Sequence, residues 1–214
     1  MPEMEEESKA TPEQARMATL APLTEEQIRA AQLGVLIPLT GPVQIVDYDP
    51  QWPRLFEREA ARVQRALGDQ MLLLEHIGST SVPGLAAKPK IDMLLVVADS
   101  ADELAYAPNL EAAGYVLQVR EPDWYEHRMF KGPDTEVNLH VYPFGCPEID
   151  RVLLFRNWLR SHTSDRQLYE HTKRELARVN WKYMQNYADA KTAVVAEILA
   201  RAQGDAGEQV REDD

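Results

Sequence analysis

Large apolar residues in this chain fall into two kinds of pattern, runs spaced three and four apart and short clustered or alternating runs, with Gly and Pro marking many of the boundaries. Thr24 stands as an N-cap with Gln27 three residues on, the spacing of a capping box, and Glu25 and Glu26 load the first turn. Ile28, Ala31 and Val35 then recur at helical spacing before Pro38, which predicts a short helix laid onto the main body within Leu23 to Leu36. Tyr48-Asp49-Pro50-Gln51-Trp52-Pro53 reads as a turn followed by a helix start, with Pro53 in a first-turn position that tolerates it. Leu55, Phe56, Ala60, Val63 and Leu67 share one face until Gly68 stops that helix.

The short apolar run Met71 to Ile77 predicts a strand entering a Gly, Ser and Pro loop, Gly78 to Pro89. A second strand is predicted over Ile91 to Val97 and a helix over Ala101 to Ala113, closed by Gly114. Three more strands are predicted over Tyr115 to Arg120, Trp124 to Lys131 and Glu136 to Tyr142, separated by Glu121-Pro122-Asp123 and Gly132-Pro133-Asp134. From Glu148 the pattern is helical almost to Gln203, with breaks expected near Ser161 to Asp165 and Asn180 to Asn186, and with Trp158 and Trp181 assigned to the core. This order predicts an α/β (α+β) fold: one mixed β-sheet flanked by helices around a single core, with a C-terminal helical segment.

Composition narrows the picture. A chain of 214 residues with 44% hydrophobic content can bury one substantial core. The expected organisation is a domain over 43–202, a short helix and linker packed on it over 23–42, a disordered acidic extension over 1–22 and a disordered acidic tail over 203–214. The formal charge of -12 is uneven: residues 1–42 hold seven acids and three bases, 203–214 hold five acids and one base, and 43–202 carries the remaining -4. Such a balance argues against binding duplex nucleic acid, which needs a basic surface, but a local pocket of Lys and Arg can still take a small phosphorylated ligand. No apolar run approaches the roughly 20 residues that span a bilayer, and the acidic start lacks the order of a secretory signal. No membrane partner and a cytoplasmic location are therefore expected. Cys146 is the only cysteine, which excludes an internal disulfide and a multi-cysteine metal cage.

The segment richest in chemistry runs from Glu75 and His76 through Gly78-Ser79-Thr80-Ser81 to Lys88 and Asp92. Gly78 lets backbone pass close to a ligand, the three hydroxyls beside backbone N–H groups suit phosphate oxygens, and Lys88 adds a cation. Asp92 sits on a strand whose alternate residues Ile91, Met93, Leu95 and Val97 are large and apolar, so its side chain belongs to the other face, where it needs solvent, a cation or a metal. The plainer reading is a strand-loop-strand connection with a solvated Asp; the length of the loop and its hydroxyls and lysine weigh against it.

The string His76-Ile77-Gly78-Ser79-Thr80-Ser81-Val82-Pro83-Gly84-Leu85 closely resembles the GrpB family. So do Tyr48-Asp49-Pro50-Gln51-Trp52-Pro53, Asn138-Leu139-His140-Val141, Phe155-Arg156-Asn157-Trp158-Leu159-Arg160 and Tyr187-Ala188-Asp189-Ala190-Lys191; the likeness covers about Val43 to Ala202. The resemblance implies a nucleotidyltransferase-like fold in which a Gly-Ser turn holds nucleotide phosphates and an Asp-x-Asp pair holds magnesium. Gly78-Ser79 and Asp92 match that layout, but the second carboxylate position is Leu94, and in-line nucleotidyl transfer usually relies on two divalent ions held by several carboxylates.

Candidates for the missing groups lie elsewhere. Glu136, Asn138 and His140 alternate along one predicted strand, so Glu136 is a candidate metal ligand beside Asp92, and His140 a ligand or general base, against the alternative of a solvated strand face. His76 can serve the same pocket or be a hydrogen-bonded structural histidine. Arg128, Lys131 and Lys191 are candidate phosphate partners, against exposed ion pairs, and Lys182, Tyr183, Tyr187 and Lys191 fall at helical spacing as a stripe that covers a base or simply packs. Two functions follow from the resemblance. One is a transferase that takes a nucleoside triphosphate, with Mg2+ on Asp92, Ser79 and Ser81 on the phosphates and Lys88 offsetting charge. The other is a non-catalytic binding or folding-accessory domain, like the segment fused to some dephospho-CoA kinases.

Overall fold

The computed structural model describes residues 22–212; of the extension expected to be disordered over 1–22, residues 1–21 lie outside the described residues. Helix α1 is Glu25–Ala31 and α2 is Trp52–Leu67, followed by β1, Leu73–Ile77, and β2, Ile91–Val97. Helix α3, Glu103–Ala112, precedes β3, Val116–Glu121, β4, His127–Lys131, and β5, Val137–Pro143. The chain then forms α4, Pro147–Ser161, α5, Thr163–Ala177, α6, Met184–Asp189, and α7, Thr192–Glu212, so the last helix continues past the boundary expected at 203.

The five strands make one mixed sheet in the order β1-β2-β5-β4-β3. Only β2 and β5 run parallel, and the connection between them carries α3 and the β3–β4 hairpin, the long crossover that a parallel pair requires. On one face Ile91, Met93 and Leu95 of β2 meet Phe130, Leu139 and Val141 and are covered by Val63 and Leu67 of α2 and Tyr106 and Leu110 of α3. On the other face Leu94 and Val96 join Ile77, Tyr142 and Cys146 beneath α4. Helices α4, α5 and α7 pack together over Val82 and Leu85 of the Gly-Ser loop, so the helical segment clamps that loop against the sheet.

Three boundaries differ from expectation for local reasons. The capping box of α1 is present, with Thr24 and Gln27 bonded reciprocally, but the helix ends at Ala31 because Gln32 pairs with Val119 and the Leu33 amide donates to Gln118 O at 2.8 Å. Pairing with the edge strand β3 overrides the helical spacing there. β1 starts at Leu73 because a 3-10 turn, Gly68–Gln70, takes up the preceding residues. β4 starts at His127 because Trp124 is bound into a turn, its amide donating to Glu121 O and its carbonyl accepting from His127. Trp158 and Trp181, assigned to the core, are instead half-buried at its rim: Trp158 stacks on His162 and donates to Asp165 at 2.6 Å, and Trp181 donates to Leu176 O at 2.7 Å.

Candidate functional site

At the end of β1 the backbone of Gly78 adopts φ 69° and ψ -177°, a conformation open essentially to glycine alone. The same position is closed to a side chain: a Cβ there would lie 2.5 Å from Asp92 Oδ2. Asp92 pairs with Ile77 across β1 and β2, so the strand register sets the carboxylate directly against the turn.

The turn Ser79–Ser81 is held from all sides. Ser81 Oγ donates to Gly78 O at 2.6 Å, and Thr80 Oγ1 donates to Lys90 O at 3.0 Å. Since that hydrogen is committed, His76 Nε2, 3.1 Å from Thr80 Oγ1, must be the donor in their contact. From α4, Arg156 donates to His76 O at 2.9 Å and Arg160 to Ser81 O at 2.8 Å. From α5, the buried Lys173 donates to Ala86 O and, at 2.9 Å, to Ser79 Oγ. A charged lysine can only donate, so while Lys173 is protonated the Ser79 hydroxyl keeps its own hydrogen for another acceptor.

Asp92 opens into a cavity of about 820 Å³. Strand alternation puts Asp92, Asn138, His140, Lys131 and His127 on its floor, with Lys88, Lys173 and Lys191 on its walls. Asn138 Nδ2 donates to Asp92 Oδ1 at 2.8 Å, and Lys131 Nζ donates to Asn138 Oδ1 and so fixes which way the amide points. His140 Nε2 lies 3.8 Å from Asp92 Oδ1, an electrostatic contact rather than a hydrogen bond, while its Nδ1 is 3.0 Å from His127 Nε2, whose Nδ1 meets Glu121 Oε2 at 2.7 Å. Asp92 is ringed by protein, yet 30% of its side chain is reachable from the cavity. Burial raises its carboxyl, but His140, then Asn138 and Lys191, outweigh that and hold it below its ordinary value. Burial, and then Lys90, push Lys131 down to about 7; burial, and then Lys191, do the same to Lys173. Burial also lowers Lys88. The cavity thus sets Asp92 and two imidazoles among Lys88, Lys90, Lys131, Lys173 and Lys191, three of them with depressed pKa values, and also takes in Glu121, engaged by His127, and Glu148, engaged by Arg151: an excess of cations suited to an anion.

The structure brings Gly78, Ser79, Thr80, Lys88, Asp92, Lys131, His140 and Lys191 to this cavity. Four expected members, His76, Ser81, Arg128 and Glu136, do not line it. His76 is on the opposite sheet face, paired with Met93 and stacked on Phe56 of α2 at 4.8 Å; burial drops its pKa to about 4, which makes it a neutral structural donor rather than a catalytic group. Arg128 alternates with His127 and Met129 and so faces away from the cavity, its guanidinium on Glu103 at 2.5 Å and Glu126 at 3.0 Å. Glu136 precedes β5 at the surface with its side chain 75% exposed, paired with Lys90 at 3.1 Å, and it does not line the cavity. Ser81 spends its hydroxyl inside the turn. Leu94 is wholly buried under α4, so the second carboxylate position is core. In the Lys182–Lys191 stripe, Lys182 pairs with Glu25 of α1, whereas Lys191 lies over the Tyr187 ring at 4.8 Å and borders the cavity.

Sequence reading missed Lys173, the buried cation that ties Ser79 to the helical layer, because nothing local distinguishes it from other lysines on an amphipathic helix. It also gave no role to Arg156 and Arg160, although both stand in the Phe155 to Arg160 string that carries the family resemblance. His127 lies inside the strand expected over Trp124 to Lys131, and its period-two alternation with Lys131 is the signal that places it on the cavity face.

The profile of the GrpB protein family matches residues 42–201, and the chain belongs to that family. A UPF0157 protein of Halalkalibacterium halodurans is 52% identical over 202 residues, covering 94% of this chain and 98% of that protein. The crystal structure of the conserved protein GrpB from Enterococcus faecalis aligns with TM-score 0.65 at 31% identity, over 76% of this chain and 99% of that one. A dephospho-CoA kinase of Mycolicibacterium paratuberculosis is 32% identical over 62% of this chain, a stretch amounting to 39% of the kinase.

Proposed function

We propose that this chain binds a nucleoside triphosphate, its phosphates lying between the Gly78–Ser79 turn and Lys88, Lys131, Lys173 and Lys191, and that it serves transfer of a nucleotidyl or phosphoryl group to an acceptor. The observation that supports this most is the contact of Asp92 with Gly78 in a cavity that Lys88, Lys131, Lys173 and Lys191 also line. Several negative charges would draw the four lysines into their charged form, and the Ser79 hydroxyl, while accepting from Lys173, can still donate to a phosphate oxygen.

Whether the residues suit magnesium turns on carboxylates. Asp92 Oδ1 is engaged by Asn138 while Oδ2 faces the turn where phosphate would lie, and magnesium is commonly held through one or two carboxylates together with phosphate oxygens and water. One ion therefore fits, on Asp92, with His140 alongside. Among the described residues a second finds no further carboxylate beside Asp92: Leu94 is buried, Glu136 stands outside the cavity, and Glu121 and Glu148 are engaged by His127 and Arg151. When bound, the ion would offset the negative charge of the phosphates. His140 and Asn138 keep Asp92 ionised, Lys131 fixes the Asn138 amide that orients it, and the lysines take over charge compensation that a second ion would supply.

Leu94 also favours a second reading, a nucleotide-binding or folding-accessory domain without turnover, in line with the partial likeness to a dephospho-CoA kinase. Thermal unfolding of the full chain with ATP, GTP and CTP, each with and without magnesium, separates the two. A metal-dependent rise for one triphosphate that disappears in Asp92→Ala is the transferase result, because a ligand at 100 times its Kd stabilises the folded state by about 2.7 kcal/mol. A rise independent of magnesium and of Asp92 is the accessory result. No rise with any triphosphate overturns the binding proposal.

A further inference from the structure

The cavity is larger than its phosphate end. Three phosphates fill a minor share of about 820 Å³, a size in the range of sites for whole organic ligands. Beyond Lys191 the character of the lining changes. Residues 33–39 form a strap across the mouth, pinned at one end by the Leu33 amide on Gln118 O at 2.8 Å and at the other by the Leu39 amide on Lys182 O at 2.9 Å. Between the pins Val35 and Ile37 border the cavity while remaining 82% and 75% exposed. Two large aliphatic side chains left in water at the rim of a binding cavity stand to gain by covering a ligand. The strap lies before residue 42, where the family profile begins, so this wall is an addition to the shared domain.

A second observation points to the same ligand. Tyr187 is 4% exposed and on the cavity wall, and its Oη is buried with no hydrogen-bond partner among the described residues. Buried polar atoms almost always have a partner, and an orphan of this kind costs about 1–3 kcal/mol. Burial pushes the phenol up, so at neutral pH it is a hydrogen-bond donor. Lys191 Nζ sits 4.8 Å from the same ring, which places Tyr187 at the junction between the cationic end and the apolar end.

We infer that the strap and Tyr187 form a second subsite that holds the uncharged organic part of the phosphorylated ligand, the nucleoside in the case of a nucleotide, with Tyr187 Oη donating to an acceptor on it. This rests on the phosphate-binding reading above and adds what that reading lacks, a reason for the site to prefer an organic phosphate over an inorganic one.

Calorimetric titration of the full chain with ATP and with inorganic tripolyphosphate tests it. ATP is expected to bind at least about tenfold more tightly, the equivalent of one well-made hydrogen bond and modest apolar contact. Ile37→Ser and Tyr187→Phe are each expected to remove most of that margin and leave tripolyphosphate affinity unchanged. Ile37 is exposed, so its replacement spares the fold. Tyr187→Phe deletes an unsatisfied hydroxyl, so the ligand-free variant should melt no lower than the parent, a combination that a purely structural tyrosine would not give. Equal affinity of the parent for the two ligands, or variants that preserve the margin, overturns the second subsite while sparing the phosphate site. Absence of binding by both ligands overturns both.

Discussion

The two faces of the central sheet are made from the same strands and do opposite work. Under α2 and α3, Met93, Leu95, Phe130, Leu139 and Val141 are fully buried in one apolar cluster. One residue along each strand, on the other face, lie Asp92, His140, Lys131 and Asn138, polar and only half-buried, with α4 covering just the far end of that face over Leu94 and Val96. The first face supplies cohesion, because close-packed apolar contact is where most folding free energy comes from. The second leaves polar and charged groups in a partly dry cavity, which costs stability and is tolerated where a ligand is to be bound. A site of this kind can be altered with little harm to the fold, and the fold with little direct effect on the site.

Substitutions on the two faces should separate cleanly. Phe130→Ala is expected to cost about 4 kcal/mol in denaturant unfolding, since it empties the centre of the packed face, whereas Asp92→Asn should cost under about 1 kcal/mol. Comparable losses would erase the division. Leu94→Asp probes the boundary, as it restores the missing carboxylate in sequence but places it beneath α4; a loss of about 3 kcal/mol with no gain in magnesium affinity is expected. Arg128→Met, on the packed side of β4, should lower stability by about 2 kcal/mol by stripping a charged donor from Glu103 and Glu126, and leave triphosphate binding untouched.

On the cavity face the lysines should reveal themselves through pH. Lys131 and Lys173 titrate at about 7 in the fold against an ordinary 10.5, so between those values the unfolded chain holds more protons and stability rises with pH. A polyanion pulls the other way by favouring the charged amines. Triphosphate binding at pH 8 should therefore take up on the order of one proton, read from calorimetry in buffers of different ionisation heat, and should tighten as pH falls from 9 to 7. Lys131→Met should reduce that uptake. The smallest effect is expected of Glu136→Gln, whose exposed pair with Lys90 is worth under about 0.5 kcal/mol and whose loss should not change ligand affinity.

Much of this was legible in the chain. The helix over Trp52–Leu67, the strand over Ile91–Val97 and the capping box at Thr24 follow from spacing and caps, since those signals concern residues a few positions apart. The division of β2 into Asp92 on one side and Met93 on the other is a period-two consequence of the same kind. His76 and Arg128 show where this stops. Each has the right chemistry and lies one residue from a cavity-lining position, Ile77 and His127 respectively, but a single step along a strand reverses the face. Lys173, far away in sequence, reaches Ser79 only because α5 is laid over the turn.

By itself, then, the sequence determined the local alternation: which segments are helix or strand, that a glycine precedes Ser79, that a carboxylate opens β2 and that Leu94 follows where a second acid might stand. Tertiary structure decided which of the charged groups share a space, pairing β2 with β5 to bring Asn138 and His140 to Asp92, docking α5 and α6 to bring Lys173 and Tyr187, and pinning residues 33–39 across the mouth. The reason is one of range. Backbone conformation and alternation are fixed by neighbours along the chain, whereas electrostatic and packing contacts between distant segments exist only once strand register and helix docking have set which sides face each other.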